Sequence, residues 1–361
     1  MEMKTTSSER RIQMNSLYEK CAGRPLIVAE LSGNHNGSLQ RAMELMDLAV
    51  KNGADAVKIQ TYTEDSLTLD CSRPEFMIKN GLWAGQTLYE LYKKAKTPRK
   101  WMKPMFKHAQ EKGILLFSSP FSPADVEALE EAACPAYKIA SYELNYPELI
   151  SLCASTGKPL VISTGMGSLK EVDFAVDLAL KKGCGELTLL HCESRYPADP
   201  KKFNLKSIPF FKKRYGCRAG LSDHALGDSI DLGAVALGAD MIEKHFTDSR
   251  ETGGVDSAFS MEPDDLKHLR EHSEAVASSL GQENFCVRDD EKLLRNGRRS
   301  VYLVRALKKG ACLTRDDVAV VRPGNGLSPY ELPNLLGRIA CSDLIAPSPL
   351  RADDFKEKMD N

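Results

Sequence analysis

No stretch of the chain approaches the roughly 18 apolar residues that a membrane span needs. The first twenty residues, MEMKTTSSERRIQMNSLYEK, lack the apolar centre of a secretion signal. A cytoplasmic protein without membrane contact is therefore expected. Excess charge of one sign is also missing: 49 Lys and Arg stand against 50 Asp and Glu, for a net charge of −1. No global field exists to recruit nucleic acid, so positive charge has to be read site by site. The ten cysteines include no C-x-x-C pair, and most lie in apolar or helical stretches. That pattern argues against a disulfide framework or a cysteine zinc site and for free thiols in a reducing compartment.

What is present is enough apolar residue for a large core. With 361 residues, 42% hydrophobic and 27% charged, the chain exceeds one ordinary domain. Eight short apolar runs, PLIVAE, DAVKIQ, ILLFSS, AYKIAS, PLVIST, LTLLHC, RAGLSD and MIEKHF, are separated by amphipathic stretches of helical length. Their near-continuous hydrophobicity suits strands buried on both faces of a parallel sheet. Glycines 53, 113, 157, 183 and 238 fall just before strands, where a helix end takes a left-handed residue. The reading is an α/β (β/α)8 TIM barrel followed by a small β-rich domain. Its expected parts are an extension over 1–23, the barrel over 24–282, a polar linker over 283–299 and the small domain over 300–361. About sixty residues make a marginal core, so the small domain is expected to lean on something else.

The strands end in polar groups: Glu30, Gln60, Ser119, Ser141, Ser163 with Thr164, and His191. A barrel whose strands finish this way builds one active site from many loops, so the chain reads as an enzyme. Lys58 and Lys138 interrupt strands that are otherwise apolar. A buried ammonium needs either a carboxylate partner or an anionic ligand. The strand-end serines and the STGMG turn could add neutral donors around a phosphate or carboxylate. Gln60 shares a strand face with Lys58, and Glu243 shares one with His245. His224, in GLSDH, and His245, in IEKHF, close neighbouring strands and could hold a divalent metal (Mn, Co, Zn or Mg) loosely enough to exchange ligands. Asp223 and Asp256 are nearby carboxylates that could ligate, orient a ligand or accept a substrate hydroxyl. His35, between two asparagines, reads equally well as part of an ordinary turn.

Several of these segments occur together in one known family. PLIVAELSGNHNG, GADAVKIQTYT, FSSPFS, YKIASYE, STGMGS, GLSDHALG, VALGADMIEKHFT and GGVDSAFSMEP resemble the sialic acid (nonulosonic acid) synthase family. RRSVYLVRALKKG and RPGNG resemble the antifreeze-protein-like (SAF) domain that follows the barrel in that family. Within the family, LTLDC, GLWAGQTLYELYKKAKTP and GGVDSAFS look most like the branch that makes pseudaminic acid. Two places depart from that branch. LLHCESRYP stands where LLKCTSAYP is usual, which puts His191 nearer the neuraminate and legionaminate branches, and Asn325 stands where tyrosine is frequent.

The resemblance implies a transferase that condenses phosphoenolpyruvate with an acylamino sugar, a 2,4-diacetamido-2,4,6-trideoxy-L-altrose, and water, giving pseudaminic acid and phosphate. It implies a phosphoenolpyruvate site from Lys58, Lys138, Ser119, Ser141 and Ser163, and metal ligation by His224 and His245, with manganese favoured and cobalt or magnesium compatible. Glu30, Gln60, Tyr196, Glu243 and Asp256 would surround the reacting centre and the sugar. Arg322 would reach the site of a neighbouring chain in a domain-swapped homodimer. Rival readings are an N-acetylneuraminate or legionaminate synthase, a Schiff-base pyruvate aldolase using Lys138 or Lys58, and a carbohydrate-binding protein without catalysis.

Overall fold

A computed structural model describes residues 16–19, 21 and 23–356. Most of the expected extension 1–23, and residues 357–361 of the expected small domain, lie outside the described residues. The chain divides into two compact units, residues 1–281 and 282–361.

The first unit alternates strand and helix. In order run β1 Leu26–Glu30, α1 Leu39–Lys51, β2 Ala56–Thr61, α2 Glu64–Leu67, α3 Leu88–Ala95, α4 Met102–Lys112, β3 Leu115–Pro120, α5 Pro123–Glu131 and β4 Tyr137–Ile139. They are followed by α6 Pro147–Ser155, β5 Leu160–Ser163, α7 Leu169–Lys182, β6 Leu187–Cys192, α8 Ser207–Tyr215, β7 Arg218–Asp223, α9 Ser229–Ala236, β8 Met241–His245 and α10 Pro263–Ser279. The eight strands form a closed parallel barrel in sequence order, so the (β/α)8 expectation holds. Closure pairs β1 with β8 over Leu26↔Met241 to Glu30↔His245, and β1 with β2 through Glu30↔Lys58. One row of the barrel therefore carries Lys58, Glu30 and His245 side by side.

Local chemistry sets the helix ends. Ser38 caps α1 by accepting from the Arg41 amide at 3.2 Å, and Thr87 with Glu90 and Ser168 with Glu171 form capping boxes on α3 and α7. Gly113 and Gly183 end α4 and α7 in the left-handed conformation, as their place before a strand implied. Tyr18 sits at the other end of the barrel, its hydroxyl 2.7 Å from Thr188 Oγ1 and its ring 4.1 Å below the Arg218 guanidinium.

The second unit has its own core of Val301, Leu303, Leu313, Val318, Leu350 and Phe355, with neighbours. An antiparallel sheet of β10 Val318–Val321, β9 Ser300–Leu303 and β12 Ser348–Pro349 is joined by the pair β11 Ile339–Ala340 and β13 Phe355–Lys356. The stretch expected as linker carries a helical turn, α11 Asp289–Lys292, and clusters with this unit. All ten cysteines are free thiols, and no helix among the described residues is long and apolar enough to cross a membrane.

Two features make the barrel sensitive to single changes. Gly220 in β7 lies so close to β8 that a Cβ there would sit 2.1 Å from the Met241 carbonyl oxygen. A closed barrel cannot relieve that clash by moving an edge strand, so Gly220→Ala should lower stability by about 3 kcal/mol or more. An unchanged denaturant midpoint would refute this. Glu143, in the turn after β4, is buried without a cationic partner, and burial pushes its carboxyl up to about 8. Below pH 4.5 the acid is protonated in both the folded and the unfolded chain. As pH rises from 4.5 towards 8 only the unfolded chain ionises, which costs the fold ~1.4 kcal/mol per unit of pKa difference. Glu143→Gln should therefore be more stable than the parent by a few kcal/mol at pH 8, the gap closing towards pH 4. Parallel stability curves for the two proteins would contradict it.

Candidate active site

A buried chain of alternating charge crosses the barrel interior. Lys58 Nζ lies 2.5 Å from Glu30 Oε2 and 3.7 Å from Glu243 Oε1, and Lys138 Nζ donates to both Glu243 oxygens at 2.7 and 2.9 Å. All four side chains are nearly inaccessible to solvent. Burial alone would raise the Glu243 carboxyl, but the charges of Lys138 and Lys58 reverse this and hold it down to about 2. Burial also works against Lys58, yet Glu243 and Glu30 together keep its pKa above that of an ordinary lysine. Lys138 has Glu243 alone, so burial wins and its pKa falls below the ordinary value. Each lysine thus has the carboxylate partner that the sequence offered as one of two possibilities. Ser222 Oγ gives Glu243 a further bond at 3.1 Å.

Neutral donors gather beside this chain. Ser119 Oγ is 3.5 Å from Lys58 Nζ, and Ser141 Oγ accepts from the Gly165 amide at 3.1 Å. Ser163 Oγ is buried with no hydrogen-bond partner, a donor held ready without a target. Gly165 is needed for close approach: a Cβ there would meet Ser194 Oγ at 2.1 Å and Ser141 Oγ at 2.7 Å. Thr164 is different, because its hydroxyl is spent on the Leu190 carbonyl at 3.1 Å.

The histidines complete the site. The His224 and His245 rings stand 5.3 Å apart, centre to centre. His224 Nδ1 is 3.0 Å from the Glu193 carbonyl oxygen, which can only accept, so Nδ1 carries the proton. His245 Nδ1 is 3.2 Å from Ser32 Oγ, whose own proton goes to Glu30 at 2.7 Å, so this Nδ1 is also the donor. The hydrogen-bond network therefore places a proton on Nδ1 of both rings, so that in the neutral form of each the Nε2 lone pair is open. Neither Nε2 makes a hydrogen bond among the described residues. Burial and the nearby charges of His224, Lys58 and Lys138 keep the His245 pKa well below the ordinary value, as a ligand requires. For His224 burial is outweighed by Cys192 and the Glu193 carbonyl, which raise it, so a cation there would have to displace a proton. Among the described residues no third His, Cys, Asp or Glu stands close enough to complete a metal-binding group. These two imidazoles would suit a divalent cation that drew its remaining ligands from outside the chain.

Around them lie Gln60, which donates to Ser32 Oγ at 3.0 Å, and Asp256, which accepts from the Gly33 amide at 3.3 Å. Burial lifts the Asp256 carboxyl to about 6. The Tyr196 ring packs on His224 at 4.3 Å and on Phe259 at 5.2 Å.

Three residues weighed from sequence have other duties. Asp223 pairs with Lys244, which also reaches Asp231 at 3.1 Å, a buried triad formed because residues 223 and 244 point opposite to the inward-facing Ser222 and Glu243. His35 is a core residue between Thr97 Oγ1 and the Gly37 amide, with burial pushing it down to about 4. His191 accepts from the Asn204 amide at 3.3 Å and packs on Phe203, away from the histidine pair. Arg322 is exposed in the second unit. Sequence reasoning missed Ser32, Ser222, Ser194 and Lys244. The alternation of inward and outward residues could have assigned Ser222 and Lys244.

With this geometry in hand, comparison with known proteins is specific. The NeuB family model matches residues 45–285, and the SAF domain model matches 298–356. A pseudaminic acid synthase of Campylobacter jejuni is 42% identical over 332 residues, 91% of this chain and 96% of the relative. An N,N'-diacetyllegionaminic acid synthase of Legionella pneumophila is 36% identical over 330 residues, 90% of this chain and 92% of the relative. The crystal structure of N-acetylneuraminic acid synthetase from Leptospira borgpetersenii superposes with a TM-score of 0.68 at 32% identity, covering 75% of this chain and 90% of that one. Sequence, fold and the contents of the barrel mouth agree, and the chain belongs to the NeuB family of sialic acid synthases.

Proposed function

We propose that the protein condenses phosphoenolpyruvate with a 2,4-diacetamido-2,4,6-trideoxy-L-altrose and water to give pseudaminic acid and phosphate. The observation that carries the chemistry is the buried Glu30–Lys58–Glu243–Lys138 chain that runs up to the histidine pair through Ser32, beside the Ser163 hydroxyl, which has no partner. An enol phosphate would bring acceptors for Ser163 and a second set of anionic oxygens for the lysines, with Lys58, Lys138, Ser119, Ser141 and Ser163 around its phosphate and carboxylate. The pseudaminic acid synthase relative supports the choice of sugar.

In the proposed reaction C3 of the enol phosphate bonds to the aldehyde carbon of the open-chain sugar. Water adds at C2, and the C2–O bond to phosphate breaks. A divalent cation on His224 and His245, manganese in our reading, would act as a Lewis acid on the aldehyde oxygen. The chain's own residues do the rest. The lysines stabilise the departing phosphate, and Glu243 and Glu30 are the carboxylates placed to orient the water that attacks C2. Asp256, Gln60 and Tyr196 bound the space left for the sugar. Free thiols and a phosphorylated intracellular metabolite as substrate fit a cytoplasmic setting.

The decisive measurement is phosphate release from phosphoenolpyruvate across a panel of acylamino hexoses. Turnover should need the diacetamido-trideoxy-altrose, stop on exhaustive chelation and return with manganese. Lys138→Met should raise the phosphoenolpyruvate KM about 30-fold, the equivalent of about 2 kcal/mol for a lost charge-assisted contact, and leave the sugar KM within a few-fold. Borohydride trapping of pyruvate on a lysine, with activity intact in EDTA, would instead establish an aldolase. Best turnover with a legionaminate or neuraminate precursor would move the protein to a neighbouring branch.

The same reading makes the active unit a homodimer in which the small unit of one chain caps the barrel of the other through Arg322. It is supported by the exposed apolar residues of the second unit, among them Phe285, Leu293 and Leu294. Mixing inactive His224→Ala chains with inactive Arg322→Ala chains should then restore part of the activity, because one site of the mixed dimer keeps both residues. A monomer by light scattering, or no rescue after proven subunit exchange, would place Arg322 in its own chain's site.

A further inference from the structure

We propose that Trp83, carried by the insertion between α2 and α3, is the residue that selects a sugar with a methyl rather than a hydroxymethyl group at its end. This rests on the sugar-condensing reading above and names how it is made specific.

Residues 68–87 interrupt the barrel between its second strand and α3, and they are ordered by backbone pairing. The Ile78 amide donates to the Gln86 carbonyl and the Gly85 amide to the Ile78 carbonyl, each at 2.9 Å. The tip of this insertion presents Trp83. Its indole Nε1 donates to the Val255 carbonyl at 2.9 Å, in the loop that carries Asp256. Its ring lies 5.8 Å from Tyr196 and 6.5 Å from Phe259, centre to centre. Those two rings are in turn 4.3 Å from His224 and 4.9 Å from His245. One aromatic wall therefore runs without a break from the proposed reacting centre to the insertion, and Trp83 is its outermost member.

The hydrogen bond to Val255 decides what this wall can recognise. Indole has a single polar hydrogen, and it is already used, so what Trp83 still exposes is hydrocarbon. A methyl group against that surface gives up nothing in leaving water. A primary hydroxyl in the same place would lose its water and find no partner on the indole. Asp256 and the two imidazoles are buried, and the sugar's hydroxyls and amides are expected on their side of the wall. The wall thus suits a 6-deoxy sugar and disfavours its 6-hydroxy counterpart.

The test compares two aldehydes that differ at one atom, 2,4-diacetamido-2,4,6-trideoxy-altrose and the 2,4-diacetamido-2,4-dideoxy sugar that keeps the 6-hydroxyl. The full-length protein with manganese is used, with phosphate release as readout. The parent should prefer the 6-deoxy sugar in kcat/KM. Trp83→Ala should cut that preference about tenfold, the scale of one methyl-sized contact, by slowing the 6-deoxy reaction alone. Trp83→Phe, which keeps an apolar ring, should retain most of the preference, and both variants should keep the parent's phosphoenolpyruvate KM. Equal losses on the two sugars would mean that Trp83 only pins the insertion in place, and an undiminished preference in Trp83→Ala would also overturn the proposal. A parent protein that releases phosphate with neither sugar would overturn the synthase reading itself and this inference with it.

Discussion

Everything in the barrel mouth is arranged around one carboxylate shared between two ammoniums. Glu243 would be an expensive group to bury alone, and so would Lys58 or Lys138. Together they are tolerable, and their arrangement dictates the rest. Glu30 takes the second side of Lys58, Ser32 takes the proton-accepting side of Glu30, and His245 donates to Ser32. A single line of donors and acceptors thus connects the charged floor to the histidine pair, and it fixes which nitrogen of His245 is left open. Removing one member would leave a buried partner exposed to the full cost of an unpaired charge, about 3–5 kcal/mol in such settings. The charge that makes this site reactive also makes its geometry rigid.

A second buried ion cluster, Lys244 with Asp223 and Asp231, sits behind the strands on the opposite face. The two clusters alternate along β8, with Glu243 and His245 inward and Lys244 outward. The same strand thereby serves chemistry on one side and helix anchoring on the other, since Asp231 belongs to α9. This explains how a strand reading MIEKH can be wholly buried while three of its five side chains are polar.

The barrel was legible because parallel strands buried on both faces leave nearly uninterrupted apolar runs, and because glycines such as Gly113 and Gly183 mark where each helix must turn back. The polar strand ends were legible for the same reason: Lys58, Lys138 and Glu243 stand out against apolar neighbours. Pairing was not. Nothing in the order of residues says that Lys138 meets Glu243 and Lys58 meets Glu30, because these contacts join strands 28 to 105 positions apart. For Asp223, proximity in sequence to His224 suggests a place beside the metal-capable rings, whereas strand alternation turns it away to Lys244. Ser32 and Trp83 escaped notice because both sit in irregular segments, where periodicity carries no information and only a resolved loop shows what a side chain touches.

The row that holds Lys58, Glu30 and His245 spans the seam where the first strand meets the last. A ribosome must therefore deliver residue 245 before Glu30 has its neighbour across the seam, although Lys58 and Ser32 are made long before. The pair of rings and its link to the charged floor are therefore complete only once the last strand lies against the first, so barrel closure and assembly of this site are one event.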